Sequence, residues 1–290
     1  MSSADLTAIS VPAWRDWLQL ARISNTPTVV SNSVAGAALV VASPDAGTVA
    51  VVAVAMALFY TAGMVLNDVF DLEIDRRQRP ERPLPSGRVS VPAAVTAVVF
   101  LFVAGEILLF LEGWEDTVAG LVLIGLIVLY DAWHKGNPLS PLLMGACRAM
   151  VYVVAGLAIA GALNAALWGA AAVLLVYLVG LTQVAKAEGS GIAARWPVIA
   201  VLAPVIYWAK EIPDAAVLLL LVAFLVWAGY ALWLVLAQHK IGAGVVRLIA
   251  GIAVYDALVV AGSGGGPVAL TACLVAFAAT VALQTQIEGT

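Results

Sequence analysis

Charged side chains are scarce in this chain. Lys, Arg, Asp and Glu make up 11% of the 290 residues and hydrophobic residues make up 63%, and the mean hydropathy is +1.03. A soluble protein of this length needs far more polar surface than this composition supplies. The chain also lacks the polar and apolar alternation of a transmembrane β-barrel. We therefore expect an all-α, polytopic integral membrane protein.

Cysteine and histidine are also rare. Cys147 and Cys273 lie in apolar segments, and His134 and His239 are the only histidines. A disulfide is not expected there, and neither pair has the spacing of a metal site. The 14 basic residues form no continuous basic face, so no nucleic-acid partner is expected.

Ten apolar segments follow one another, most of them near the length of about 20 residues that spans a bilayer as a helix. Because Arg247 and Asp256 interrupt one segment, we expect about nine transmembrane helices, or ten if that segment also spans. Residues 1–24 do not resemble a cleaved signal peptide, and we expect them to form a cytoplasmic or interfacial segment. Residues 1–290 are expected to form a single transmembrane domain. The predicted helices are 27–43, 47–70, 90–111, 115–133, 139–162, 165–188, 195–209, 214–237, 242–262 and 267–286.

The basic residues predict the orientation of the chain in the membrane. They cluster before the first predicted helix and after the second, fourth, sixth and eighth, whereas the opposite loops hold only Lys210. Positively charged loops face the cytoplasm in most membrane proteins. We therefore expect a protein of the cell membrane whose N-terminal segment and basic loops are cytoplasmic.

Four carboxylates lie at the cytoplasmic end of the second predicted helix, between Asp68 and Asp75. On a continuous helix, Asn67, Asp68, Asp71 and Asp75 occupy about one quadrant of the surface. Like charges so close to hydrocarbon repel one another unless they are paired, and Mg²⁺ is the hard divalent ion that prefers carboxylate and phosphate oxygens. The alternative is an acidic helix end balanced by the arginines that follow it.

This stretch resembles the first motif of the UbiA superfamily of intramembrane prenyltransferases. The resemblance rests on Asn67, Asp68, Asp71 and Asp75, followed by Arg79-Pro80, Arg82-Pro83-Leu84-Pro85 and Gly87. It implies nine transmembrane helices around a central cavity and Mg²⁺-dependent transfer of an isoprenyl group. The partners it implies are a prenyl diphosphate, a small-molecule or lipid acceptor, and membrane lipid.

Two further elements extend the resemblance. Tyr130 and Lys135 resemble a Tyr-x-x-x-Lys element, although His134 occupies the expected lysine position and Lys135 comes one place later. Arg148 lies within the fifth predicted helix, where some members carry an arginine. A buried arginine is costly without an anion, so Arg148 either binds diphosphate or forms a structural pair with a carbonyl or carboxylate.

The second aspartate-rich motif of the superfamily is degenerate in this chain. The end of the sixth predicted helix reads LTQVAKAEGSG, in which Glu188 is the only carboxylate and Lys186 replaces an expected ligand. Lys186 is therefore expected to contact diphosphate as a point charge. This sequence, with YDAWHK and the N-terminal LARISNTPTVVSNSVAGA, resembles the EboC-type branch of the superfamily.

Asn25 and Asn32 are polar residues at membrane depth. They either line the cavity and bind substrate or hydrogen-bond across helices.

The alternatives to a prenyltransferase are a non-catalytic prenyl-lipid binding or transport protein on the same fold, and an unrelated secondary transporter. For a prenyltransferase, the resemblance implies the following roles. The catalytic candidates are Asp68, Asp71, Asp75, Tyr130 and Lys186; the diphosphate-binding candidates are Asn67, Arg79, Arg82, Lys135 and Arg148; and the Mg²⁺ ligands are Asp68, Asp71, Asp75 and Glu188.

Overall fold

The computed structural model describes residues 14–186, 196–209 and 214–287, and within these ranges every regular element is helical. One 3₁₀ turn, Ile23–Asn25, precedes the second α-helix. The α-helices are α1 Trp14–Leu20, α2 Pro27–Val40, α3 Ala46–Phe70, α4 Leu72–Gln78, α5 Val91–Glu112, α6 Trp114–Trp133, α7 Ser140–Ala160, α8 Ala165–Lys186, α9 Trp196–Val201, α10 Ala203–Trp208, α11 Ala215–Leu236, α12 Ile241–Gly262 and α13 Pro267–Gln284.

Eight helices in the described ranges are long and apolar enough to cross a membrane. They are α3, α5, α6, α7, α8, α11, α12 and α13. This confirms the prediction of an all-α, polytopic membrane protein. The segment 242–262, which Arg247 and Asp256 interrupt, is the most deeply buried of the eight, because α12 packs among α2, α8, α11 and α13 at the centre of the bundle.

Helix α2 is shorter than the sequence predicts. It ends at Val40, because Val41 is extended at φ −142° and ψ 124°. Its Gly36 lies so close to α7 that an added Cβ would stand 2.8 Å from the backbone of Tyr152. This close approach and the burial of most of its residues make α2 an inner helix of the bundle.

The predicted helix 195–209 is interrupted. It consists of α9 and α10, which are separated at Leu202. Pro204 stands in the first turn of α10. Because proline supplies no backbone N–H and clashes with the preceding turn, it ends one helix and begins the next.

The carboxylate-bearing segment also differs from the prediction of one continuous helix. Helix α3 ends at Phe70, and Asp71 joins it to the seven-residue α4 with φ −85° and ψ −2°. The prolines after Gln78 prevent further helix. Ser90 then caps α5, as its position suggests, by accepting a hydrogen bond of 3.3 Å from the N–H of Ala93.

Candidate functional site

A cavity of about 480 Å³ opens between the inner helices at the end where α3, α6 and α8 terminate. This volume lies within the range of about 300–1,000 Å³ that is typical of small-molecule sites. Apart from Arg148, the interior is lined mainly by apolar side chains that include Val29, Met56, Phe59, Leu123 and Ile252. The mouth is lined by charged and polar side chains, so the cavity has one polar and one apolar end.

The three aspartates of the motif are all buried, and each forms an ion pair. Asp75 accepts a hydrogen bond of 2.8 Å from Arg82, whose guanidinium also lies 3.7 Å from Asp68. Lys135 Nζ lies 3.1 Å from an oxygen of Asp71. Asp71 and Asp75 line the cavity, whereas Asp68 is not among its lining residues.

His134 joins α6 to this cluster. Its Nε2 lies 3.4 Å from the second oxygen of Asp71, and its ring stacks on Tyr130 with 5.2 Å between the ring centres. Burial alone raises the pKa of Asp71, but the hydrogen bond with His134 and the ammonium of Lys135 outweigh it and hold that pKa below its usual value. The same hydrogen bond outweighs burial at the imidazole and raises the pKa of His134.

A fourth carboxylate, Asp131, was missed by the sequence reasoning. It is buried, and Asn67 Nδ2 donates a hydrogen bond of 3.1 Å to its Oδ1. Within the described residues its Oδ2 has no hydrogen-bond partner. Asp131 adjoins Tyr130 in the YDAWHK stretch, and an acidic residue at the end of an apolar helix is the signal that could have identified it.

Arg22 is the second residue that the sequence reasoning did not single out. Its Nη2 donates a hydrogen bond of 2.8 Å to Asp68, and its Nη1 lies 3.1 Å from the sulfur of Met64. Arg22 adopts a left-handed conformation at φ 43°. This conformation is unfavourable for residues other than glycine, and it persists where the surrounding contacts hold the residue in place.

Lys186 lies at the end of α8 and lines the cavity mouth. Its Nζ donates a hydrogen bond of 2.7 Å to Ser140 Oγ, and the carbonyl of Asn137 lies 3.4 Å away. No carboxylate of the described residues forms an ion pair with it. Glu188, the remaining predicted metal ligand, lies outside the described residues.

The structure brings most of the predicted residues to one cavity. Asn32 does not line this cavity; it donates through Nδ2 to Asp256, at 2.9 and 3.0 Å from the two carboxylate oxygens. Asn25 does line it, and its side-chain oxygen accepts a hydrogen bond from Gln284. The predicted residues at the cavity wall are Asn25, Asn67, Asp71, Asp75, Arg79, Arg82, Tyr130, Lys135, Arg148 and Lys186.

The donor set at the mouth suits a divalent cation that binds together with an anion. Asn67, Asp71, Asp75 and Asp131 supply the hard oxygen atoms that Mg²⁺ prefers, and Asp131 has an oxygen without a partner. Across residues 14–186, 196–209 and 214–287, no three acidic, histidine or cysteine side chains stand close enough to enclose an ion by themselves. Asp71 and Asp75 are instead paired with Lys135 and Arg82, and such basic side chains suit the phosphate part of a metal–phosphate complex.

A second polar cluster lies deeper in the bundle, around the fully buried Asp256 of α12. Ser31 and Tyr152 both donate hydrogen bonds of 2.5 Å to this carboxylate. Asn32 connects it to Arg148, whose Nη1 donates a hydrogen bond of 3.0 Å to Asn32 Oδ1. The Arg148 guanidinium lies over the ring of Tyr60, 5.2 Å from its centre.

The amino-acid sequence matches a known family. The sequence model of the UbiA prenyltransferase family matches residues 29–263. A digeranylgeranylglyceryl phosphate synthase of Methanothrix thermoacetophila is 38% identical over 86 residues, which is 30% of this chain and 32% of the relative. A synthase of the same name from Saccharolobus solfataricus is 30% identical over 148 residues, 50% of this chain and 52% of that protein. The chain thus spans about a third to a half of the length of these curated relatives.

Solved structures share the fold. A chain from a structural study of digeranylgeranylglyceryl phosphate synthase in membranes aligns with a TM-score of 0.62 at 19% identity, covering 87% of this chain and 98% of that one. A UbiA homologue of Archaeoglobus fulgidus, solved with GPP and Mg²⁺ bound, aligns with a TM-score of 0.53 at 14% identity, covering 93% of this chain and 99% of its own.

Proposed function

Because this chain belongs to the UbiA prenyltransferase family, we propose that it transfers an isoprenyl group from a prenyl diphosphate to a lipophilic or aromatic acceptor. The observation that supports this most is the division of the cavity into an apolar interior and a mouth at which carboxylates and basic side chains are interleaved. That division matches the two halves of the donor, a hydrocarbon chain and a diphosphate. The basic loops are proposed to face the cytoplasm, where a water-soluble diphosphate can enter.

The diphosphate binds at the mouth. Arg79, Arg82, Lys135 and Lys186 line it and can share the negative charge of the phosphates. Arg82 already neutralises two buried carboxylates, so its contacts change when a cation takes over that role. Lys186, held by Ser140, contributes a fixed positive charge on the opposite wall.

The residues that would hold Mg²⁺ are Asp71, Asp75, Asp131 and Asn67. Asp68 does not line the cavity and forms an ion pair with Arg22. When bound, the ion would supply positive charge to the phosphate oxygens of the leaving group. In the transfer, the carbon–oxygen bond of the allylic diphosphate breaks, and its electron pair leaves with the diphosphate. The acceptor forms a bond to that carbon and loses a proton, which the released diphosphate can accept.

The apolar interior has a chemical role in this reaction. The electron-deficient isoprenyl carbon is captured by any nucleophile within reach, and water is the commonest. Side chains such as Phe59, Leu123 and Ile252 exclude water from the inner part of the cavity. Tyr130, at the junction of the two parts, is close enough to His134 and the mouth to steady either the phosphates or the developing cation.

A non-catalytic prenyl-lipid binding protein is the second candidate. The observation that favours it is the presence of Lys186 on a wall where a second set of carboxylates was expected. Such a protein binds prenyl diphosphate but releases no pyrophosphate.

The experiment uses the full chain in detergent with geranyl, farnesyl and geranylgeranyl diphosphates and extracted membrane lipid as the source of acceptor. We expect Mg²⁺-dependent pyrophosphate release and a prenylated product by mass spectrometry. Asp71→Asn should lower the rate by about 100-fold or more, as removal of one charge-stabilising group does in other enzymes. Glu73→Gln is the matched control, because Glu73 is exposed on α4 and pairs only with the exposed Arg76. Binding without release in the wild type would support the carrier, and equal rates for Asp71→Asn and wild type would refute the metal site.

A further inference from the structure

The cavity ends near the middle of the bundle. On α3, α6, α7 and α12, the residues that line it stop about halfway along the helix, and each helix continues for nine or ten residues beyond the last of them. None of the described residues of α5, α11 or α13 lines the cavity. It is therefore open at the mouth and closed at its inner end. The deepest lining residues on the four helices are Met56, Leu123, Val151 and Ile252.

The bundle is closely packed below this level. One turn beyond Ile252, the fully buried Asp256 accepts hydrogen bonds from Ser31 and Tyr152, and none of these three residues lines the cavity. Four apolar residues, each at most 6% exposed, form one core cluster with the deepest lining residues of α3, α6 and α7. This floor leaves no space into which a longer ligand could extend. The four apolar residues are Val52, Leu109, Ala119 and Val154.

Phe59, which lines the cavity just above the floor, is held from behind by α5. Its side chain is 1% exposed, and a Cβ added at Gly105 would stand 2.6 Å from its ring. The ring of Phe102 meets it edge-on, with 5.9 Å between the ring centres. Because the α5 helix and a second ring lie against it, Phe59 cannot yield to a ligand in the cavity without moving α5.

Helices α3 and α6 give the depth of the apolar part. At the mouth they are joined by the hydrogen bond from Asn67 to Asp131. Phe59 precedes Asn67 by eight residues and Leu123 precedes Asp131 by eight, so both lie about 12 Å deeper along their helices. Met56 precedes Asn67 by eleven residues and lies about 16 Å deeper.

This depth can be compared with the length of an isoprenyl chain. An extended isoprene unit has four carbon–carbon bonds of about 1.5 Å along the chain and measures about 5 Å. Chains of two, three and four units are therefore about 10, 15 and 20 Å long. With its diphosphate at the mouth, a geranyl or farnesyl chain ends at or above the floor, whereas an extended geranylgeranyl chain is too long.

We propose that the closed floor limits the donor to chains of at most three isoprene units and that Phe59 is the residue that sets this limit. The proposal rests on the proposed prenyl transfer, which places the diphosphate at the mouth and the chain in the interior. A fourth unit has to displace Phe59 against α5 or coil above it. Either arrangement overpacks a closely packed region, which is unfavourable. Phe59 is thus a specificity-determining residue for the length of the donor.

The test measures the binding of donors of three lengths. The non-reactive geranyl, farnesyl and geranylgeranyl thiolodiphosphates are titrated with Mg²⁺ into the detergent-solubilised full chain by calorimetry. Phe59→Ala and the milder Phe59→Leu open the floor, and Leu123→Phe raises it. Phe224→Ala is the matched control, because Phe224 is also fully buried but does not line the cavity. Binding of the geranyl compound by a variant shows that it is folded.

The measured quantity is the Kd of the geranylgeranyl compound divided by the Kd of the farnesyl compound. Each compound partitions into the micelles to the same extent whichever variant is present, so a change in this ratio between proteins reports on the cavity. We expect the wild type to bind the geranylgeranyl compound more weakly than the farnesyl compound. Phe59→Ala should lower the ratio about 10-fold or more, as a change in pocket size does in other proteins. Phe59→Leu should lower it by less, and Phe224→Ala should leave it unchanged.

Leu123→Phe tests the opposite change. It should weaken the farnesyl compound relative to the geranyl compound by about 10-fold or more, because the longer chain then meets an added ring at the floor.

Four results would overturn the proposal. They are a wild type that binds the geranylgeranyl compound at least as tightly as the farnesyl compound, a ratio that neither Phe59 variant changes, an equal shift in Phe224→Ala, and an unchanged preference in Leu123→Phe. Failure of all three compounds to bind the wild type would count against the proposed function instead, because the proposal concerns only the differences among the three lengths.

Discussion

Removal of the Arg82 guanidinium should destabilise the protein, and Mg²⁺ should restore part of the loss. Arg82 lies between Asp75, at 2.8 Å, and Asp68, at 3.7 Å, and its side chain is 14% exposed. Arg82→Gln therefore leaves two buried carboxylates with less neutralising charge. Breaking a buried ion pair from one side costs about 3–5 kcal/mol. Because Arg82 is partly exposed and Asp68 keeps Arg22, we expect the lower end, about 3 kcal/mol.

The assay is thermal unfolding in detergent, with and without 10 mM MgCl₂. A loss of about 3 kcal/mol corresponds to a Tm about 6–12 °C lower, using the relation for domains of about 150–250 residues. Mg²⁺ should raise the Tm of Arg82→Gln by more than that of the wild type, because the ion binds the carboxylates that the arginine had neutralised. Arg76→Gln is the control, since its exposed pair with Glu73 should contribute less than about 0.5 kcal/mol.

Two results would contradict this reasoning. If Arg82→Gln unfolds at the wild-type temperature without Mg²⁺, the ion pairs of Arg82 do not hold the segment after α3. If the variant is destabilised and Mg²⁺ affects both proteins equally, the carboxylates do not form the binding site of the ion.

The remaining predictions concern His134, α2 and Asp131. The pKa of His134 is raised in the folded protein, so its ion pair with Asp71 stabilises the fold fully below the unfolded pKa of about 6.5 and is lost as pH rises through the folded pKa. The Tm difference between wild type and His134→Asn should therefore be larger at pH 6 than at pH 8. Equal Tm differences at the two pH values would refute the ion pair. Gly36→Ala should lower the free energy of unfolding by about 1–3 kcal/mol, because an added Cβ would stand 2.8 Å from the backbone of Tyr152 and force α2 away from α7. Gly125→Ala is the control, because an added Cβ there meets no atom within 4 Å. This variant should unfold at or above the wild-type temperature in the same melting assay. Asp131→Asn removes a carboxylate oxygen that has no partner and should raise the Mg²⁺ concentration for half-maximal pyrophosphate release about 10-fold or more; an unchanged Mg²⁺ requirement would place Asp131 outside the metal site.

The membrane-spanning helices could be predicted because hydropathy and helix length depend on local sequence. Some segments differ from the helices that the sequence predicts. Helix α2 ends at Val40, because the chain becomes extended at the exposed Val41, and α9 and α10 separate before Pro204. The charges of Arg247 and Asp256 left it open from the sequence whether 242–262 spans the membrane. Helix α12 is nevertheless the most buried of the eight spanning helices, and its Asp256 accepts hydrogen bonds from three donors on α2 and α7.

The part of the site that one continuous stretch of sequence encodes could be predicted. Asp71 and Asp75 line the cavity with Arg82, although the break at Asp71 replaces the continuous helix that placed them on one face. The position of Asp131 at the end of an apolar helix could have identified it as a candidate, but the contacts of Arg22 and Asp131 could not be assigned from the sequence, because their partners lie 46 and 64 residues away. Asn32 shows the same limit: its position at membrane depth left two roles open, and only the bundle shows that it bonds to Asp256 and Arg148.

The proposed function depends most on where the donor diphosphate binds. A structure of the protein with geranyl thiolodiphosphate and Mn²⁺, whose anomalous scattering locates the ion, measures this directly. We expect an ion coordinated by Asp71 and Asp75 with phosphate oxygens, the lysine and arginine side chains of the mouth around the phosphates, and the hydrocarbon chain in the apolar interior. A diphosphate bound elsewhere, or an ion that touches none of the mouth carboxylates, would contradict the proposed function.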